Sequence, residues 1–198
     1  MTVVLAVLVL AVAAVLVALA AARSSRPGTD GPEAGFARDM SAHHAQAVRM
    51  SFIVRDRTRD PDVRLLAYDI INTQSAQIGM MTAWLDEWDV PKTDPSGPMR
   101  WMNHTGHAPV TAAPARMPGM APREELAELE KAEGRDAEVR YLRLMIAHHR
   151  GGVAMAEAVL TRTDHDRVRR LARTMVDGQQ AEITLMNGML RKRGSTAT

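Results

Sequence analysis

Cysteine is absent from the 198 residues. That one absence removes disulfides, thiolate metal sites and cysteine nucleophiles together. Aromatic residues make up only 4% of the chain, three Trp, two Tyr and two Phe. A core must therefore be built from Leu, Val, Ala, Ile and Met, a palette that suits long helices better than a β-sandwich. Charge of one sign is missing too: 25 Lys and Arg against 23 Asp and Glu leave a net +2. The basic residues are scattered rather than striped, so no nucleic-acid footprint follows. No Gly-x-Ser-x-Gly, phosphate loop or His-Glu-x-x-His occurs, and hydrolase chemistry has no visible constellation. What the chain does hold is soft chemistry, 14 Met and 7 His.

Val3 to Ala22 form an uncharged apolar run, about 30 Å long as a helix and matched to the hydrocarbon core of a bilayer. Residues 1–22 are expected to be an export signal or a membrane anchor. No Lys or Arg precedes the run, while Arg23 and Arg26 follow it, and the positive-inside rule read literally would leave the domain in the cytoplasm. The lack of cysteine favours an oxidising compartment instead, so the protein is expected outside the cytoplasm, exported or anchored to the outer face of the membrane. Residues 23–32 read as a tether, 33–193 as one domain and 194–198 as a tail.

Shifting the sequence by 105 residues aligns Phe36–Leu85 with Tyr141–Leu190 without a gap, with 19 identities in 50 positions. Chance would give about three, so the chain carries two copies of one unit, and that repeat dictates the architecture. Phe36, Met40, His43, Ala47, Met50 and Val54 recur at alternating steps of four and three, as do Tyr141, Met145, His148, Gly152, Met155 and Val159. That period is helical. A second element runs through Val63, Leu66, Ile70, Gln74, Gln77, Met81, Leu85 and Trp88, and its copy through Val168, Leu171, Met175, Gln179, Glu182, Met186 and Leu190. Asp60-Pro61 marks the start of the second helix, Asp as N-cap and Pro in the first turn. The expected fold is all-α: hairpins over 33–88 and 138–193, joined by a Met- and His-bearing crossover over 89–137. This is the ferritin-like four-helix bundle with one crossover. Within the crossover, residues 91–122 are too rich in Pro and Gly for regular helix, and Arg123–Glu133 before Gly134 reads as a short helix.

At about 100° per residue, Met40, His43 and His44 point toward one place, with His44 on the shoulder of the stripe. Pairing across each turn puts Gln74 and Gln77 beside His43, and Gln179 and Glu182 beside His148. Each hairpin therefore carries a polar layer inside an apolar stripe, and the two layers lie close enough axially to form one central site. Buried imidazoles and a buried Glu182 are costly unless bonded to one another or to a metal. Either answer satisfies them; retention of Met-x-x-His-His in both copies favours metal. Di-iron bundles use Glu-x-x-His, but here the turns read Met40-Ser41-Ala42-His43 and Met145-Ile146-Ala147-His148. A thioether in place of a carboxylate disfavours iron and favours Cu(I), Ag(I) or, through the imidazoles, Cu(II), with zinc left to His alone. The crossover gathers Met99, Trp101, Met102, His104, His107, Met117 and Met120, either as a second metal-binding group or as a flap packed on the bundle. Because an imidazole must be neutral to bind metal, copper affinity through the four paired His is expected to fall below about pH 6.

The repeated FARDMSAHHAQAVRM and YLRLMIAHHRGGVAM, the intervening MPGM, and the helices QxxQIxxMxxWL and QxxEIxxMxxML resemble the bacterial exported family known as domain of unknown function 305. The resemblance covers nearly all of residues 34–192. It implies a ferritin-like fold, an extracytoplasmic location and copper binding or resistance in at least some members, among them a cyanobacterial periplasmic copper-binding protein. By matching motif it implies Met40, His43, His44, Met50, Met145, His148, His149 and Met155 as ligands. Gln77 departs from the acidic residue that the second half keeps as Glu182, so equal affinity in the two halves does not follow. The leading expectation is a copper-binding protein, Cu(I) favoured, that sequesters the ion or hands it to a copper transporter or another copper protein. Two competitors are a metal-dependent oxidoreductase of the same fold and a metal-free helical interaction or sensor domain at the membrane. Membrane contact through residues 3–22 and an oligomer near Trp84 and Trp88 stay open; no nucleic-acid partner is expected.

Overall fold

The computed structural model describes residues 4, 7, 10–16, 26–102 and 117–196. From residue 26 onward it contains α1 (Pro32–Arg57), α2 (Pro61–Glu87), a 3-10 turn (Arg100–Met102), α3 (Arg123–Lys131), α4 (Gly134–Leu160) and α5 (Asp166–Lys192). There is no strand among the described residues. Most of the segment expected to be a signal or anchor lies outside the described residues, as do His104 and His107. Among the described residues no helix is long and apolar enough to cross a membrane, so the spanning helix gains no support here.

Each repeat folds as an antiparallel hairpin. Asp60 accepts from the amides of Asp62 and Val63 and Pro61 occupies the first turn of α2, as its sequence position predicts. Both turns are built alike: Thr58 takes the Asp60 amide and Thr163 the His165 amide, while Arg64 and Arg169 each donate back to carbonyls of their own turn. One boundary differs from expectation. Gly134 does not terminate α3; Ala132 and Glu133 are extended, and Gly134, with φ 53°, opens α4 four residues ahead of the predicted start. A left-handed backbone at that point favours glycine and lets the chain reverse between two helices without a longer loop.

The helices α1 and α4 form the central antiparallel pair, with α2 packed on α1 and α5 on α4. Thr58 meets Glu138 at one end and Glu33 meets Thr163 at the other, contacts related by the 105-residue shift. The long connection makes α2 and α4 parallel, the one-crossover arrangement. Every predicted inward position on the four long helices is buried except Glu182, which is half-buried. The core divides into two clusters. One contains Phe36, Met40, Trp84, Trp88, Met99, Trp101 and Met155; the other contains Met50, Val54, Ile70, Tyr141, Met145 and Met186. Between them lies the polar layer.

Candidate metal centre

The four paired histidines come from α1 and α4 and are at most 1% exposed. The His43 and His148 rings lie with centroids 3.7 Å apart and planes tilted by 31°, so the two layers meet at one central place. His44 and His149 flank them, 6.5 and 6.3 Å from their neighbours. Each imidazole commits its Nε2 to an acceptor: His43 to the Pro118 carbonyl at 2.9 Å, His148 to the His43 carbonyl at 3.0 Å, His44 to Gln77 Oε1 at 2.7 Å and His149 to Glu182 Oε2 at 2.6 Å. A carbonyl or carboxylate oxygen only accepts, so in the neutral ring Nε2 carries the proton and Nδ1 keeps the lone pair. All four Nδ1 atoms are buried without a hydrogen-bond partner in the protein.

Such orphans call for an explanation, since an unpaired buried polar atom costs about 1–3 kcal/mol. Gln74 Oε1 and Gln179 Oε1, matched positions one turn before the histidine partners Gln77 and Glu182, are orphaned in the same way. Four lone-pair nitrogens and two carbonyl oxygens thus stay open at the centre of the bundle. The donor set fits a metal ion: the second ring nitrogen of a metal-bound histidine is ordinarily held by a carbonyl or carboxylate, and here all four already are.

The thioethers sit on both sides. Met40, Met50, Met145 and Met155 are all fully buried, the first and last in one core cluster and the middle two in the other. Met40 and Met145 lie three residues, about 4.5 Å of helix rise, before His43 and His148. Glu182 stands behind His149 as its hydrogen-bond partner, with its side chain 24% exposed. Among the described residues no three His, Asp or Glu side chains converge as a ready-made metal cluster. Any site here must therefore draw on thioether or amide donors beside imidazole.

Burial sets the electrostatics. Desolvation of the imidazolium pulls His43 down to about 4 and His44 to about 3, the neighbouring His43 adding to the latter, and it holds His148 well below the ordinary histidine range. These rings stay neutral at pH 6, so proton competition with a metal sets in lower than their ordinary titration predicts.

The crossover splits between two roles. Met99 and Trp101 are core residues: the Met99 amide and Trp101 Nε1 both donate to buried Asp39 Oδ2, at 2.7 and 2.8 Å, and Trp101 occupies the space that a side chain at Gly35 would need. Burial raises the Asp39 carboxyl, offset in part by those two bonds. Met102 packs partly on the same cluster. Met117 and Met120, by contrast, are half-buried in a strap, residues 117–121, that crosses the polar layer. Its Pro118 carbonyl receives His43, and Gly119, with φ 74°, rests on the Ala147 carbonyl and the His148 Cα. A side chain at Gly151 would collide with the Pro118 carbonyl. Gln46 binds Ala121 in both directions, accepting from its amide at 2.7 Å and donating to its carbonyl at 3.1 Å.

Sequence reasoning named none of Asp39, Gln46, Gly119 or Gly151 for these roles. A signal existed for one of them: Gly151-Gly152 inside a long helix costs about 1 kcal/mol per residue relative to Ala, which marks a close approach by something else. Gly152 receives the Gln179 amide and Gly151 the strap.

The family model described as domain of unknown function (DUF305) matches residues 33–190, and the chain belongs to that family. A DUF305 protein of Streptomyces coelicolor, described as secreted, is 49% identical over 86% of this chain and 99% of its own, with a TM-score of 0.79. A DUF305 fragment from Deinococcus radiodurans is 37% identical over 84% and 99% of the two chains, at 0.68. CopM in its Cu(II)-bound form is 26% identical over 84% and 98%, at 0.62; its Cu(I)-bound form is also 26% identical, over 81% and 96%, at 0.59. Among curated proteins, the uncharacterized protein L153 of Acanthamoeba polyphaga mimivirus is 40% identical over 52 residues, 26% of this chain and 34% of that protein.

Proposed function

We propose that this member of the DUF305 family is a copper-binding protein that holds Cu(I) at the paired histidines outside the cytoplasm and passes it on without a chemical step. One observation carries the reading: the buried polar atoms left open at the centre of the bundle fall on His43, His44, Gln74, His148, His149 and Gln179, all retained in both copies. Buried imidazoles in a core that also holds fully buried methionines suit a soft ion of low coordination number, Cu(I) or Ag(I), better than an ion that wants several carboxylates. CopM, similar in fold and 26% identical, has been solved with Cu(I) and with Cu(II) bound, which supports the same ion class here. The lack of cysteine and the description of the Streptomyces relative as secreted support the location. Glu182, the acid expected at the layer, is the hydrogen-bond partner of His149.

The Nε2 bonds of His44 to Gln77 and His149 to Glu182 favour a second reading, a metal-free layer that fixes helix register. A titration of the full chain with Cu(I) against a competing chelator, beside the variant with His43, His44, His148 and His149 all changed to Ala, separates the two. The copper reading expects tight binding that the variant loses while keeping its helical circular dichroism. Binding that survives moves the ion to the methionines, and no binding by either protein leaves the structural reading.

A further inference from the structure

The strap over the histidines follows from neither copper binding nor the fold. It runs from Met117, packed on one core cluster, to Ala121, packed on the other, and so spans the polar layer between them. It belongs to no helix, and its residues 117–121 are half-buried while the imidazoles beneath are at most 1% exposed. Three side-chain hydrogen bonds hold it: two between the Gln46 amide and the Ala121 backbone, one in each direction, and one from His43 to Pro118. The two repeats have diverged to accommodate it. The 105-residue shift pairs Gln46 with Gly151, so one copy supplies the clamp and the other the empty space into which the Pro118 carbonyl fits.

We propose that residues 117–121 are the lid of the central histidine site, with Gln46 and Gly151 as its positioning residues, and that opening this lid sets the rate at which a soft metal ion enters and leaves. The inference rests on the copper reading for its cargo, but the lid itself is testable without metal. His43 couples the two: its Nε2 proton holds the lid while its buried Nδ1 stays without a partner. The half-buried thioethers of Met117 and Met120 ride on the moving segment, as donors that meet an ion before the imidazoles do.

The first measurement is acylation of the metal-free full chain by diethyl pyrocarbonate at pH 7, followed residue by residue by mass spectrometry. Losing the two Gln46 bonds in Gln46→Ala is expected to speed modification of His43 and His148 about tenfold or more. Gly151→Ala, which improves helix propensity but displaces the Pro118 carbonyl, is expected to do the same. His165, half-buried at the far turn, serves as the internal reference and is expected to keep its rate. Rates at His43 and His148 equal to wild type in both variants would overturn the lid, as would a uniform rise that includes His165 together with a lowered melting temperature. The second measurement is release of Cu(I) to excess chelator: about tenfold faster in Gln46→Ala, with Kd within about threefold of wild type. A slower or unchanged release overturns the gating role. If wild type binds no Cu(I), the copper reading fails and the acylation rates alone decide the lid.

Discussion

The two hairpins are copies of one unit, and comparing them separates what the fold needs from what it does not explain. Some retained polar residues are fully employed. Arg38 donates to the Pro91 carbonyl and Arg143 to the Thr196 carbonyl, each fastening the chain that leaves its own hairpin. Thr58 with Glu138 and Thr163 with Glu33 close the two ends of the central pair. His43, His44, Gln74 and their copies are retained as well, yet each keeps an open buried atom. Retention alone cannot distinguish the two groups, since copies share ancestry whatever their use. The orphaned atoms do distinguish them.

Divergence between the halves is equally informative. Asp39, which anchors Met99 and Trp101, faces Leu144 in the other copy, and the clamp Gln46 faces Gly151. Asp60 caps α2, whereas its counterpart His165 makes no side-chain cap and sits edge-on to Trp88 at 5.4 Å. One crossover can lie on only one face of the bundle, so the residues that receive it lost the symmetry that the paired histidines and Gln74 with Gln179 kept.

The sharpest way to break the comparison is to disable the halves one at a time. His43→Ala/His44→Ala and His148→Ala/His149→Ala remove one pair each. The inner rings approach to 3.7 Å between centroids, and on the copper reading both pairs serve one site. Either double variant is then expected to weaken Cu(I) binding by at least about a hundredfold, the scale of losing two of a few ligands. Loss of half the bound copper at unchanged affinity would mean two independent sites.

Acid comes next. His43 and His44 titrate near 4 and 3 when folded, and about 6.5 when unfolded, because burial penalises their charged forms. Between those values the unfolded chain binds protons that the folded chain refuses. Stability of the metal-free protein is therefore whole above about pH 6.5 and falls as the pH drops toward 4. Urea midpoints measured at pH 7, 6, 5 and 4 are expected to decline for wild type. They should decline less for His43→Ala/His44→Ala. Equal slopes would show that these rings are not held neutral by the fold.

Much of this was legible in the sequence, for a physical reason. Helical period and internal repetition are local signals, so the four long helices, the capped turn at Asp60-Pro61 and the inward placement of Met40, His43, Gln74 and their copies follow from spacing alone. Spacing also places the two layers near mid-helix, close enough axially to meet, but that they do meet is given by the packing of α1 on α4 and the 3.7 Å approach of His43 to His148. What spacing does not contain is the course of a Pro- and Gly-rich crossover. That course depends on long-range fits such as Gly119 on Ala147 and Gln46 on Ala121, between residues far apart in sequence. Glu182 illustrates a finer limit. Its stripe position marked it as inward, but at half burial it reaches His149 from the side and orients that ring.

The smallest test concerns the ends of the central pair. Ser51 and Tyr141 share a buried hydrogen bond of 2.9 Å, and burial raises the Tyr141 hydroxyl above its ordinary pKa, so at neutral pH it remains a phenol that needs a partner. The shift relates these residues to Ala156 and Phe36, which occupy the opposite core cluster without any hydroxyl. The bundle therefore accepts both versions of one contact. Ser51→Ala leaves the tyrosine hydroxyl unpaired and is expected to cost about 1–3 kcal/mol, a few degrees of melting temperature. Adding Tyr141→Phe converts this end into a copy of the other and is expected to recover most of that loss, to within about 1 kcal/mol of wild type. Additive losses in the double variant would mean that the two ends are packed differently and that the symmetry of the halves stops short of their cores.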